Sequence, residues 1–254
     1  MPRPYILSET NWKTVKSTDY QVAVLPWGAT EAHNYHLPYA TDNIQCDFIA
    51  EASAKIAWDS GAKVVVLPTV PFGVNTGQLD IKLNLNLNPT TQMAIIKDIA
   101  DTLQRSGIPK LVIMNGHGGN DFRQMVREVG QFFPDLFIAT FSWFKVVDGH
   151  DYFDDLGDHA GELETSLMMH FRPDIVLPLE EAGDGGAKSF KISAMKEGWA
   201  WAERSWSQVT KDTGIGNPAT ASEAKGIAYF EAFTKKIAAF FVELSKLDNN
   251  DLYE

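Results

Sequence analysis

Short runs of aliphatic and β-branched residues alternate along the chain with longer segments in which apolar positions recur every three or four residues. The runs are QVAVLP (21–26), KVVVL (63–67), KLVIM (110–114) and LFIAT (136–140), each nearly all apolar. A strand wetted on one side alternates apolar and polar residues, whereas a strand apolar throughout is buried on both faces, as in parallel sheets covered by helices. Segments 47–60, 90–106 and 121–132 have helical periodicity, and the second ends at Gly107 and Pro109, residue types that stop helices. A further helix is predicted from near His159 to before Pro173, and a last one from about Ser222 to Leu247. The repeated unit is βαβ, which predicts an α/β fold around a mainly parallel sheet.

No linker, internal repeat or low-complexity tract interrupts this pattern, so a single domain over residues 1–254 is expected. Two segments, DGHDYFDDLGD (148–158) and EEAGDGGAK (180–188), read as loops. With 22 basic and 33 acidic residues the formal net charge is -11, a sign that repels phosphate backbones and anionic membrane faces. The longest apolar runs fall well short of the ~20 residues of a spanning helix. Neither nucleic acid nor a membrane is an expected partner. The single cysteine, Cys46, and the lack of a secretory pattern in MPRPYILSETNWK read as cytoplasmic. A chain this long can build its core unaided, so any bound metal is expected to serve chemistry.

In open α/β sheets, reactive groups gather at the carboxyl ends of strands. After the first strand comes WGATEAHNYHLP (27–38), then Thr41 and Asp42. Glu31, His33 and Asp42 are one nitrogen and two oxygen donors of the kind that bind zinc or manganese, placed in one loop beside the spare histidine His36. After the third strand comes NGHGGN (115–120), whose glycines let backbone approach a bound group while His117 is presented at the strand end. The third cluster is DHAGELETS (158–166). On a continuous helix His159 and Glu162 share a face, whereas Glu164 points away from Glu162; Glu162 is therefore the expected partner of His159. Any one of these histidines is better explained as a hydrogen-bonded structural residue. Their concentration argues otherwise: four of the six histidines lie in three short segments, beside carboxylates or glycine turns. His150, in the acidic loop, and His170, at a helix end, are assigned structural roles.

Together these segments resemble the creatininase (creatinine amidohydrolase) family, whose pattern runs P-x-G-S-x-E-Q-H-G-P-H-L-P, T-D, N-G-H-G-G-N and H-A-G-E-x-E-T-S. The chain has PWGATEAHNYHLP, TD, NGHGGN and HAGELETS in that order, and TGIGNPATASEAKG (213–226) resembles the family's closing motif. The resemblance spans nearly the whole chain. It implies a three-layer α/β/α fold, a homo-oligomer, commonly a hexamer, and a centre of two divalent ions per chain; the ligand types make zinc the first expectation for these ions and manganese the alternative. It implies hydrolysis of a C–N bond in a small amide, cyclic amide or formamide by a hydroxide bridging the ions. By position Glu31, His33, Asp42 and His117 would be ligands, with Asp42 bridging. Creatininase itself has its fifth ligand, a glutamate, where this chain has Gly119; Glu162 is expected to replace it, with Glu164 the alternative. His159, with Glu162 beside it, would be the catalytic pair, the histidine shuttling a proton or polarising the carbonyl.

Several departures bear on the substrate. Asn34-Tyr35 stands where the family has Gly-Pro, and Tyr35 is expected to add bulk and a hydroxyl beside the metals. Gln78 stands at a family histidine position, and Asp155 where creatininase has a tryptophan. Trp199, Trp201 and Trp206 are expected in the core or an interface rather than stacked on a substrate. Creatinine is therefore disfavoured, while formamides, lactams and peptide amides stay open. A metal-binding protein of the same fold without hydrolytic activity is the competing reading. A nucleotide-binding protein is a weaker one, because NGHGGN is not G-x-G-x-x-G.

Overall fold

The computed structural model describes residues 2–254. Four parallel strands form one sheet: β1 (Val22–Trp27), β2 (Val64–Val66), β3 (Lys110–Asn115) and β4 (Phe137–Ser142), in the order β2-β1-β3-β4. Eight α-helices accompany them among the described residues: α1 (Trp12–Lys16), α2 (Thr41–Asp59), α3 (Pro89–Arg105), α4 (Arg123–Phe132), α5 (Glu162–Phe171), α6 (Ser193–Lys196), α7 (Trp206–Val209) and α8 (Glu223–Lys246).

The alternation of side chains along each strand divides the core in two. Val22 and Val24 of β1, Val64 and Val66 of β2 and Val112 and Met114 of β3 pack beneath α2, α5 and α8. Ala23, Leu25 and Trp27, with Val65, Leu111 and Ile113, face α3 and α4 on the other side. That produces the helix–sheet–helix layering expected of all-apolar strands. The edge strand β4 differs, being only half-buried along its length.

Two helix starts depart from the expectation, and both matter for the site. α2 begins at Thr41, six residues before the predicted start, so Asp42 lies in a helical first turn and not in a loop. α5 begins at Glu162 because the preceding segment is held in other conformations. His159 forms an antiparallel bridge with Ile215, Ala160 is in the left-handed region at φ 51°, and Gly161 is extended as the N-cap. His159 is therefore outside the helix.

Candidate metal and active site

The neighbouring strands β1 and β3 end together, with Trp27 paired to Asn115. The loops that leave them carry Glu31 and His33 on one side and His117 on the other. The first turn of α2 supplies Asp42, and the segment entering α5 supplies His159. Glu31, His33, Asp42, His117 and His159 are all buried. Asp42 stands at the centre: its Oδ1 lies 3.0 Å from His33 Nε2 and its Oδ2 3.1 Å from His117 Nδ1. Glu31 Oε1 is 2.8 Å from His117 Nδ1 and 3.9 Å from His159 Nδ1.

Ring orientation is set by the backbone. His33 Nδ1 donates to Glu31 O at 3.1 Å, His117 Nε2 to Val74 O at 2.9 Å and His159 Nε2 to Ala32 O at 2.8 Å. Each histidine thus spends one ring N–H on a carbonyl and aims its other nitrogen at the carboxylates, which is how metal-ligating histidines are held. The asparagines of NGHGGN form the scaffold below. Asn115 Oδ1 accepts from His117 N and Asn120 Nδ2, while Asn120 Oδ1 accepts from Val74 N and Gln92 Nε2.

Geometry separates the two glutamates of α5. Glu164 Oε2 accepts from Ala160 N at 2.6 Å and lies 3.9 Å from His33 Nε2. Glu162, expected beside His159, points instead toward α8, where it pairs with Lys225; its Oε2 accepts from Asp154 N and Asp155 N, each at 2.8 Å. The helical-face argument fails because His159 precedes the helix, so a spacing of three residues does not align it with Glu162. The buried Glu162 carboxylate pairs with the partly exposed Lys225 and tethers the 154–155 loop, and it adjoins none of the clustered donors. Both carboxylates were visible in HAGELETS; what selected between them was the helix start.

Gly119 also acquires a reason. A Cβ there would lie 2.3 Å from Val74 O and 2.5 Å from His117 Nε2, so this backbone path has no room for a side chain. One other expectation needs correction. Tyr35 is 60% exposed and donates to Lys211 O at 3.2 Å, on the surface and not beside the metal donors. Its neighbour Asn34 is the structural residue of the pair, at φ 53° and bonded through both amide atoms to Gly183. Of the three tryptophans expected in the core or an interface, Trp199 and Trp201 are 75% and 85% exposed and lie outside the core of this chain. Trp206 is buried and meets the His159 ring edge-on, with centroids 5.5 Å apart.

Electrostatics mark the same atoms. Burial opposes charge on His33, yet Asp42, Glu164 and Glu31 outweigh it and push its pKa up to about 10. Burial likewise opposes charge on His117, and Glu31 and Asp42 again win, raising it well above the usual histidine value. Burial works against the Glu31 carboxylate too, but His117, His159 and His33 hold it below the usual range. Burial raises the Glu164 carboxyl against the pull of His33 and His159. His36, by contrast, is pushed down to about 4 by burial and by the neighbouring His33; its Nε2 hydrogen-bonds Thr165 Oγ1 at 2.9 Å, away from the cluster.

These donors suit divalent ions. Three sets each bring their ligand atoms within 4.8 Å of one another: Glu31, Asp42 and His117; His33, Asp42 and Glu164; and Glu31, His33 and His159. Asp42 Oδ2 is buried without a hydrogen-bond partner, an orphaned acceptor that a cation would satisfy. A half-open cavity of about 450 Å³ opens on the cluster at Glu31, His117 and His159, and is walled further out by Phe190, Trp201 and Trp206. No helix among the described residues is long and apolar enough to cross a membrane.

Comparison with known proteins identifies the family. The family model for creatininase, described as creatinine amidohydrolase, matches residues 8–241. A creatinine amidohydrolase of Pseudomonas putida is 28% identical over 201 residues, covering 69% of this chain and 75% of that protein. A mycofactocin precursor peptide peptidase of Mycolicibacterium smegmatis is 24% identical over 221 residues, covering 82% of this chain and 79% of that protein. A crystal structure of a candidate creatinine amidohydrolase from Bacteroides fragilis superposes with a TM-score of 0.93 at 43% identity, covering 100% of both chains. The chain therefore belongs to the creatininase family of amidohydrolases, enzymes that hydrolyse carbon–nitrogen bonds.

Proposed function

We propose that this chain hydrolyses the C–N bond of a small amide, cyclic amide or formamide at a centre of two divalent ions. The observation that carries the reading is Asp42, whose two oxygens each face a different donor set, toward His117 at 3.1 Å and His33 at 3.0 Å. Glu31, Asp42 and His117 would hold one ion, and His33, Asp42 and Glu164 the other. Glu164, the alternative to Glu162 for the fifth position, takes it, because its Oε2 and not the Glu162 carboxylate lies near His33. The donor set of imidazole and carboxylate accepts zinc first and manganese as well. Solved creatininases, at 22% and 24% identity, include forms described as Zn-Zn and Mn. When bound, the ions supply Lewis-acid polarisation of the carbonyl and a water acidic enough to attack at neutral pH.

The chain supplies the rest. His159 Nδ1 stands farther from Glu31 than His117 does, at 3.9 Å against 2.8 Å, and its ring is fixed by Ala32 O. It is placed to accept a proton at Nδ1 from the attacking water and return it to the departing nitrogen, without which an amide nitrogen leaves poorly. The edge-on Trp206 closes one side of that ring. The cavity on the cluster favours catalysis over a closed structural centre, because a site that only stores metal needs no space for a substrate. Assembly as a homo-oligomer, a hexamer in the first instance, belongs to the same proposal and is checked by light scattering.

The test is metal content per chain on protein purified without chelator, paired with amine or formate release from formamides, lactams and short peptides. Near two ions with turnover that is lost in His159→Ala is the expected result. Two ions without turnover on any amide supports the non-hydrolytic reading, and failure to take up metal after reconstitution overturns the centre itself.

A further inference from the structure

Gln78 stands at a family histidine position and lies buried on the one-turn helix Thr76–Gln78, at the wall of the cavity. Its Nε2 donates to Glu31 Oε2 at 2.6 Å, while the other Glu31 oxygen, Oε1, faces His117 and His159. One carboxylate oxygen is thereby directed to the cluster, and the other is occupied by an amide.

The orientation of that amide follows from a backbone group. Ala32 N–H can only donate, and it donates to Asn84 Oδ1 at 2.8 Å. Asn84 must then present its NH2 to Gln78, whose Oε1 accepts it. Gln78 has only its own NH2 left for Glu31. Amide flips are ordinarily assigned from their partners, and here the polarity of one peptide N–H fixes both in turn. The circuit closes on itself: it leaves the backbone at Ala32 and returns to the side chain of Glu31, one residue earlier. The carbonyl of the same Ala32 accepts from His159 Nε2. One residue's backbone therefore orients the proton-carrying histidine through its oxygen and the Glu31 carboxylate, by way of two amides, through its nitrogen.

We propose that Gln78 is a positioning residue that holds Glu31 as a one-oxygen ligand. It does so by keeping Oε2 engaged away from the ion, and Asn84 locks it in the orientation that does this. The proposal rests on the two-ion reading above. An amide suits the task because it donates to the carboxylate without carrying a charge that titrates over the working pH range. Partners of this kind in other metal sites are worth about 10- to 100-fold in metal affinity.

The experiment is a chelator-competition titration with zinc, and separately manganese, on the full chain and on Gln78→Leu, Gln78→His and Asn84→Leu. The metal-free melting temperature of each serves as the control for folding. Gln78→Leu is expected to weaken the ion held by Glu31, Asp42 and His117 about 10- to 100-fold while the ion at His33, Asp42 and Glu164 keeps its affinity. Gln78→His, whose ring N–H also donates, is expected to recover most of the loss. Asn84→Leu, which frees the Gln78 amide to turn, is expected to fall between Gln78→Leu and the parent chain. Parent affinity for both ions in Gln78→Leu overturns this inference and leaves the two-ion reading intact. Equal weakening of both ions with a lowered melting temperature also overturns it, as a structural effect. A parent chain that binds no ion overturns both.

Discussion

Exchanging one oxygen for nitrogen in Glu162 and Glu164 separately distinguishes a structural carboxylate from a metal-binding one. Glu162 is fully buried, and its Oε2 accepts two backbone N–H bonds of 2.8 Å from Asp154 and Asp155. Hydrogen bonds to a charged acceptor are worth about 1 kcal/mol more than bonds to a neutral one. Glu162→Gln, which keeps the shape and loses the charge on two such bonds, should therefore cost about 2 kcal/mol. For a chain of this length that lowers Tm by roughly 4–8 °C. Its partner Lys225 is partly exposed and can turn to water. Metal content should stay at the parent value. Glu164→Gln should do the reverse. Burial already raises the Glu164 carboxyl, so a neutral side chain there is tolerated, and the amide oxygen can still accept from Ala160 N. The metal-free Tm should hold or rise, while the ion shared by His33 and Asp42 weakens by about 100-fold or more, beyond the range of outer partners. Elemental analysis after dialysis, with calorimetric melting of metal-free protein, reads both quantities. If Glu162→Gln sheds an ion while Glu164→Gln retains both, Glu162 and not Glu164 is the fifth ligand, as the family resemblance implies.

Gly119→Ala should reduce metal content and destabilise the chain by about 1–3 kcal/mol, because its Cβ would press on Val74 O and His117 Nε2; an unchanged melting curve would count against that contact. Gly226→Ala should push α8 off α5, since a Cβ there would stand 2.1 Å from Ser166 O, and should lower Tm with metal content per folded chain unchanged. Burial, aided by Asp148, pushes the Tyr229 phenol up to about 12, and its hydroxyl donates to Val147 O at 3.0 Å. A raised folded-state pKa favours the neutral phenol, so this contribution is complete below about pH 10, the unfolded value, and is lost as pH rises toward 12. Ultraviolet titration of the seven tyrosines should accordingly show a late phase, absent in Tyr229→Phe; ionisation of all seven together near pH 10 would refute it.

Much of this protein was determined by short-range pattern. Nearly all-apolar runs at 21–26, 63–67 and 110–114 are enough for a buried parallel sheet, because a strand without polar alternation has no face to offer water. Family motifs at Glu31, His33, Asp42, His117 and His159 were equally visible, since each residue falls in a short stretch that matches the family pattern in order along the chain. The contacts that tertiary structure decided depend on where backbone changes direction. Ala160 in the left-handed region starts α5 at Glu162, and that single turn sends Glu162 to Lys225 and brings Glu164 to His33. Asp42 enters the site from a helix that begins before its apolar periodicity does. Gln78 reads from sequence as a lost histidine, and only a fold that brings Ala32, Asn84 and Glu31 around it, 46 and 47 residues away for the first and last, makes it the partner of a ligand carboxylate. Local periodicity records which side chains must avoid water. It does not record which polar groups from distant segments will share the same buried space, and that pairing is settled by the packing of the layers.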